Sequence, residues 1–464
     1  MKQREAIEPG QKNRLDEFIN RPKRAVWIIA LPMMAGFMVY AAYSIVDMAF
    51  VGQLGPMALA ALTFVGALIF AVTAVGVGFN SGVIATIAHA VGARDHDKAG
   101  QIASNSLGMG FLIGATLGIL GLVGGRYIMP ILGAEGESVE LALEYFHIIS
   151  IGLPLMFLSG TFRSIMTGEG DAKTPMIVII VSQLLNVALD PIFIFTLGMG
   201  IRGAAIATVV SQIFSIGVLS YIVVVKKKTF VRINLNYLRP YWALLKPIAK
   251  IGVPVMVGQL VMALGIGFIN RVVAEFGQVA VAGYGAGGKI DLIVALPVLG
   301  LAGSTVTVIG MFAGAGRADL CRSTALYTYR WVMIVVVVIG ASALLMSQRI
   351  IGIFTDDPEA IQIGTHYLKY MVVGYPLMAV GMATGRILQG LGIGLPTLVI
   401  TAVRVLLIGV PVAYIAVFLF DAPIDWVWLS GILGGIVANV IALWWLREYM
   451  WKRDPTLIAA KGRP

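Results

Sequence analysis

Charge is what this sequence has least of. Only 12% of its 464 residues are Asp, Glu, Lys or Arg, about half the share found in a soluble domain, which excludes a chain built mainly of water-facing surface. Cysteine occurs once, as Cys321, so no internal disulfide and no Cys-rich metal centre can form. The four histidines, His89, His96, His147 and His366, show no HExxH spacing. No Ser-His-Asp set or paired-carboxylate site assembles at a polar face, so the chain is read as not an enzyme. Basic residues outnumber acidic ones, giving a formal net charge of +10. They fall in short clusters between apolar runs, not in one patch interleaved with aromatics, so no nucleic acid is expected as a partner.

What is abundant is apolar sequence: 58% of residues are hydrophobic and the mean hydropathy is +0.89. A helix needs roughly 20 apolar residues to cross a hydrocarbon core about 30 Å thick. Turn residues and charges divide the chain into twelve such segments, beginning near residues 26, 58, 101, 138, 174, 202, 251, 280, 325, 360, 396 and 427. The apolar run 25–50 is too long for the core of a signal peptide and is expected to be the first retained span. Most Lys and Arg lie on one set of alternate loops, which predicts a multi-pass protein with both termini in the cytoplasm. On this reading the spans themselves hold Lys289, Lys369 and Arg404.

The chain also matches itself at one constant offset of 222 residues. Pro32, Gly36, Gly55, Gly78 and Gly92 recur as Pro254, Gly258, Gly277, Gly300 and Gly314, and Tyr145, Pro154, Gly168 and Gly170 recur as Tyr367, Pro376, Gly390 and Gly392. Six spans therefore repeat as six. The predicted fold class is an all-α integral membrane protein, with twelve helices in two six-helix lobes related by a pseudo-two-fold axis along the membrane normal. The expected divisions are a cytoplasmic segment 1–25, a first lobe 26–225, a solvated cytoplasmic linker 226–250, a second lobe 251–447 and a cytoplasmic tail 448–464. Two lobes inserted the same way suit alternating access, which makes a transporter the leading class.

Gly283, Gly285, Gly288 and Lys289 come near to a phosphate-binding loop, but Ile290 stands where a hydroxyl is needed and no strand precedes them. Small residues for close helix packing explain them better. Ionisable groups inside spans are functional candidates, because each is costly in hydrocarbon without a cavity or a partner. Asp47 shares one helix face with Tyr40, Tyr43 and Ser44. Gln183, Asn186 and Asp190 form a second stripe, and Thr208, Ser211, Gln212 and Ser215 a third. Pro191 frees the Val187 carbonyl and favours a bend beside Asp190. Two close carboxylates in a low dielectric cannot both stay charged cheaply, so one is expected to carry a proton. Alternatively, two carboxylates, an amide oxygen and a hydroxyl form an all-oxygen shell for a hard cation such as Na+. In the second lobe the offset maps Asp47 onto Ile269 and Asp190 onto Val412. Lys289 and Asp291 are its salt-bridge or gating candidates; being two residues apart they face different directions, so each needs a partner elsewhere.

These residues, with Leu31-Pro32, Val46-Asp47, Gly52-Gln53-Leu54-Gly55, Gly92-Ala93-Arg94 and Gly168-Glu169-Gly170-Asp171 followed by Thr174-Pro175, resemble the multidrug and toxic compound extrusion (MATE) family over nearly the whole chain. The likeness is to the branch that groups archaeal members with DNA-damage-inducible protein F. It implies export of amphipathic, often cationic, compounds in exchange for H+ or Na+, with no other cofactor. It also implies that Asp47, Asn186, Asp190 and Thr208 hold the coupling cation (as a metal site for Na+ if sodium is coupled); Tyr40, Tyr43, Gln183 and Gln212 are expected to line the substrate path. The expected partners are the bilayer and small amphipathic molecules, the expected location is the cell inner membrane, and the protein is expected to act as a monomer. A flippase for lipid-linked sugars, from the same superfamily, is the alternative.

Overall fold

The computed structural model describes residues 14–225 and 230–456. The N-terminal segment up to residue 13, Lys226, Lys227 and Lys228 of the linker, and the tail from residue 457 lie outside the described residues. Among the described residues there are twelve helices long and apolar enough to cross a membrane, and no strand. In lipid no water satisfies backbone N–H and C=O groups, so a helix, which satisfies them within itself, is the form these apolar runs take.

In chain order the helices are α1 (Arg14–Asn20), α2 (Pro22–Gly52), α3 (Pro56–Gly92), α4 (His96–Ile131), α5 (Glu137–Gly168), α6 (Lys173–Pro191), α7 (Ile201–Ser220), α8 (Trp242–Val273), α9 (Gln278–Gly314), α10 (Ala318–Leu345), α11 (Ser347–Ile351), α12 (Pro358–Gly390), α13 (Leu395–Ala402), α14 (Val410–Phe420) and α15 (Asp425–Arg447). The repeat is visible in their ends. The offset of 222 carries both ends of α3 onto those of α9, the start of α4 onto that of α10, and the start of α6 onto that of α13. It also carries the turn geometry: Gly55 and Gly277 have φ of 112° and 94°, and Gly170 and Gly392 have 86° and 90°. A side chain would strain the backbone at these positions, which is why glycine stands at both copies.

The near-match to a phosphate loop is helix interior. Gly283 and Gly287 lie within α9, where an added Cβ would come 2.6 Å from the Ala360 carbonyl and 2.5 Å from the Tyr367 ring. They let α9 and α12 pack closely.

The chain divides into two compact units: one holds the described residues up to Arg21 together with Ala35–Ala249, and the other holds Pro22–Met34 and the residues from Lys250 onward. The first span is thus shared, whereas the sequence reading placed all of it in one lobe. Within the second unit, the Trp27 indole donates to the Tyr327 hydroxyl at 2.9 Å and meets Trp331 edge-on at 5.3 Å. Pro32, which has no N–H for the Ile28 carbonyl, lies two residues before the division.

In the first unit the linker is not the solvated loop that its charge suggests. Helix α8 already starts at Trp242, and the residues before it lie along α4. Asn234 N–H donates to Ser104 Oγ at 2.8 Å, and Asn105 Nδ2 donates to the carbonyls of Tyr237 (3.3 Å) and Arg239 (2.7 Å). Gly100 and Gly108 complete the track: a Cβ on either would collide with the Arg232 or Leu238 carbonyl. Helix α1 binds the same end of the unit, with Arg14 donating to the Gly170 carbonyl at 2.5 Å and pairing with Asp171, while Asp16 pairs with Arg94. Asp171 in turn accepts from Thr174 N–H and Oγ1 at the start of α6.

Glu169, 7% exposed, accepts from the N–H groups of Phe230 (3.1 Å) and Val231 (2.9 Å), while His96 stacks on Phe230. Burial pushes the Glu169 carboxyl up to about 8, opposed in part by those two amides. A raised acid contributes stability below its unfolded value, and this is lost as pH climbs through the folded value. Tryptic cleavage at Arg232 should therefore accelerate as pH rises towards about 8 and level off above it in the parent, relative to Glu169→Gln, whose neutral side chain removes the dependence. Identical pH profiles would show that Glu169 does not titrate there.

Candidate functional site

The site in the first unit is built from α2, α5, α6 and α7. On α2 Tyr40, Tyr43 and Asp47 fall at spacings of three, four and seven, which is one face of a helix. On α6 Asn186 and Asp190 are four apart and both are fully buried. Immediately after Pro191 the helix widens into a π turn, Ile192–Thr196, the local consequence of the missing proline N–H. Gly203 of α7 lets the widened turn approach, since a Cβ there would come 2.6 Å from the Phe193 carbonyl.

The polar groups divide into those held by partners and those left free. Asn186 Nδ2 donates to Thr208 Oγ1 at 3.4 Å, and Thr208 Oγ1 donates to the Ala204 carbonyl at 3.1 Å. Ser182 Oγ donates to the Ser211 carbonyl at 2.7 Å. By contrast Asp47 Oδ1, Asn186 Oδ1, both carboxylate oxygens of Asp190 and Gln212 Oε1 are buried with no hydrogen-bond partner among the described residues. All five are acceptors. Asp47 and Asp190 are close enough to act on each other electrostatically, and Tyr43 and Tyr145 lie by both of them and by Thr208.

Buried acceptors without donors are costly, and a proton or a hard cation is what satisfies several of them together. The donor set of Asp47, Asn186, Asp190 and Thr208 is all oxygen, so it fits H+ or Na+ rather than a soft metal. No group of three or more His, Cys, Asp or Glu residues that could hold a metal occurs among the described residues.

Of the residues expected along the substrate path, Tyr40 is 55% exposed, Tyr43, Gln183 and Gln212 are partly buried, and the Tyr40 and Tyr43 rings are 6.3 Å apart. Tyr145 appears in the sequence only as one more match in the repeat, and its place beside the acids is a product of helix packing. In the second unit Asp291 is not paired with Lys289, which is exposed. Its carboxylate instead accepts from the hydroxyls of Tyr367 (2.5 Å) and Tyr375 (2.7 Å), and the two charges, two residues apart on α9, leave the helix in different directions. Arg163 lies inside α5, five residues before its end, whereas the charge pattern alone groups it with the loops.

Comparison with known proteins agrees with this architecture. The family model described as MatE matches residues 32–192 and again residues 254–415, the same two copies that the repeat defines. A probable multidrug resistance protein NorM of Thermotoga maritima is 26% identical over 433 residues, 92% of this chain and 93% of its own. The multidrug export protein MepA of Staphylococcus aureus is 26% identical over 402 residues, 86% and 88% of the two chains. A protein named as an FAD transporter in Shewanella oneidensis is 24% identical over 396 residues, 84% and 87%. Among solved structures, a transporter of the MOP superfamily from Pyrococcus furiosus superposes with a TM-score of 0.89 at 30% identity, covering 95% of this chain and 98% of its own. A MATE structure described as bent superposes at 0.90 with 29% identity, covering 98% and 100%. A model that matches each half of the chain in turn, and whole-length likeness in sequence and fold, make this protein a member of the MatE family of membrane transporters.

Proposed function

We propose that this protein is a secondary multidrug exporter of the cell inner membrane, moving amphipathic compounds outward in exchange for H+, or for Na+ through the same oxygen shell. The loop charges support a cytoplasmic position for both termini. The observation that carries the reading is the set of orphaned acceptors on Asp47, Asn186 and Asp190, which a structural polar cluster would have satisfied internally. The multidrug relatives, similar along nearly their whole length, support export as the activity. They are named for drugs in two cases and for FAD in a third, so family membership alone does not fix the charge of the substrate.

In this mechanism the cation and the substrate are linked because each biases the same two-state protein. Asp47 is on α2, the span whose two parts belong to different units, so neutralising it acts on the element the units share. Asp190 lies beside the π turn of α6. Bound H+ or Na+ removes the charge that the buried acids otherwise hold against hydrocarbon, and its release towards the cytoplasm resets the cycle.

The direct test uses the protein in liposomes with a trapped pH-sensitive dye, to which a lipophilic cation is added. Protons should move opposite to the substrate, with half-saturation that depends on substrate. No proton movement, followed by none with a sodium gradient, would overturn coupled export and favour the flippase for lipid-linked sugars.

A further inference from the structure

The first unit carries a second polar cluster of opposite character on the same helix faces. Arg163 follows Tyr145 on α5 by 18 residues, which is five full turns, so both side chains leave on one face about 27 Å apart along the axis. On α7 Ser215 follows Thr208 by seven, and on α2 Tyr40 precedes Asp47 by seven. The faces that carry the acids and their neighbours therefore run on towards the arginine.

Around it the donors converge. Arg163 Nη1 donates to Ser159 Oγ at 2.5 Å, and Ser159 Oγ lies 3.0 Å from Ser215 Oγ. Asn80 of α3 flanks the guanidinium: a Cβ added at Gly160 would come 3.0 Å from Asn80 Nδ2 and 3.7 Å from Arg163 Nη2. Glycine at 160 is what leaves room for both. Tyr40 lies within electrostatic reach of both Arg163 and Asp47. No carboxylate pairs with Arg163 among the described residues, although a cation inside a span is costly without an anionic partner or a cavity. Among the described residues, one end of the unit thus has acceptors that lack donors, and the other has a guanidinium that lacks an anion.

We infer that Arg163, with Asn80 and Ser159, forms an anion subsite that receives the carboxylate of an amphoteric substrate, while the basic end of that substrate lies towards Tyr40 and Asp47. The planar guanidinium fork matches a carboxylate through two parallel hydrogen bonds, which an ester cannot accept with the same strength. This inference rests on the export reading above and adds to it a preference for substrates that carry both charges.

The test compares two substrates that differ at one group: a cationic xanthene dye with a free carboxylate, and its methyl ester. In liposomes, Arg163→Gln should lower the acid-to-ester ratio of transport efficiency by about tenfold, the loss of roughly one charge-assisted hydrogen bond, and Arg163→Lys should recover part of it. Asn80→Asp places a carboxylate against the guanidinium and should lower the ratio similarly, which keeps the test available if Arg163→Gln does not reach the membrane. An equal fall for acid and ester, or an unchanged ratio, would overturn the subsite and make Arg163 a packing residue. If the parent transports neither dye, the export reading itself fails, a result distinct from a change in ratio.

Discussion

Asp190→Asn should leave the protein at least as resistant to heat and at the same time sharply lower coupled transport. In most buried polar clusters removing a charge breaks hydrogen bonds and destabilises, but both oxygens of Asp190 lack donors among the described residues and the residue is fully buried. An amide of the same shape removes the cost of an unpaired buried carboxylate, so the melting temperature in detergent is expected to hold or rise. Transport should fall about 5- to 150-fold, the range that 1–3 kcal/mol of coupling free energy represents, because the site can no longer gain and lose charge. Asp47→Asn should do the same in the same assay, with the amount of protein in the membrane unchanged. A lowered melting temperature with normal substrate-driven proton movement would mean that the two acids only glue helices together.

Asp291→Ala in the second unit should behave in the opposite way. Its carboxylate accepts from Tyr367 and Tyr375, whose side chains are 4% and 0% exposed. Removing it leaves two buried hydroxyls without an acceptor, at a cost of about 3 kcal/mol in total. The melting temperature should fall, and Asp291→Asn, which keeps one acceptor oxygen, should lose about half as much. Combining Asp291→Ala with Tyr367→Phe and Tyr375→Phe should recover part of the loss, because removing both sides of a bond is milder than removing one. A fall in transport with no fall in stability would instead place Asp291 in the coupling path. Two span carboxylates of the same type are thus assigned different work by one observable, whether donors surround them.

Much of this is legible in the sequence. Twelve spans follow from the solvent: apolar runs of this length have one backbone solution in lipid. The two-fold repetition follows from the constant offset, which reappears in helix ends and in the positive-φ glycines Gly55, Gly277, Gly170 and Gly392. Asp47, Asn186, Asp190 and Thr208 were legible because acids in an apolar span stand out, and helical spacing tells which neighbours share their face.

What the sequence could not decide depends on contacts between residues distant along the chain. Tyr145 reads as an ordinary repeat match until α5 packs against α7 and brings it to Thr208 and the two acids. The linker reads as solvated because its lysines and arginines are charged, yet its backbone lies in a track cut by Gly100, Ser104, Asn105 and Gly108, and a charge pattern records where side chains point, not where carbonyls go. Lys289 and Asp291, two apart on a helix that turns about 100° per residue, face different directions and need partners elsewhere, but only tertiary packing decided that the acid's partners are two tyrosines. The sequence, through hydropathy and periodicity, determined the fold class, the repeat and the acids of the first unit. Only the tertiary structure decided which polar atoms are satisfied, because a hydrogen bond depends on distances of a few ångströms between segments the chain brings together.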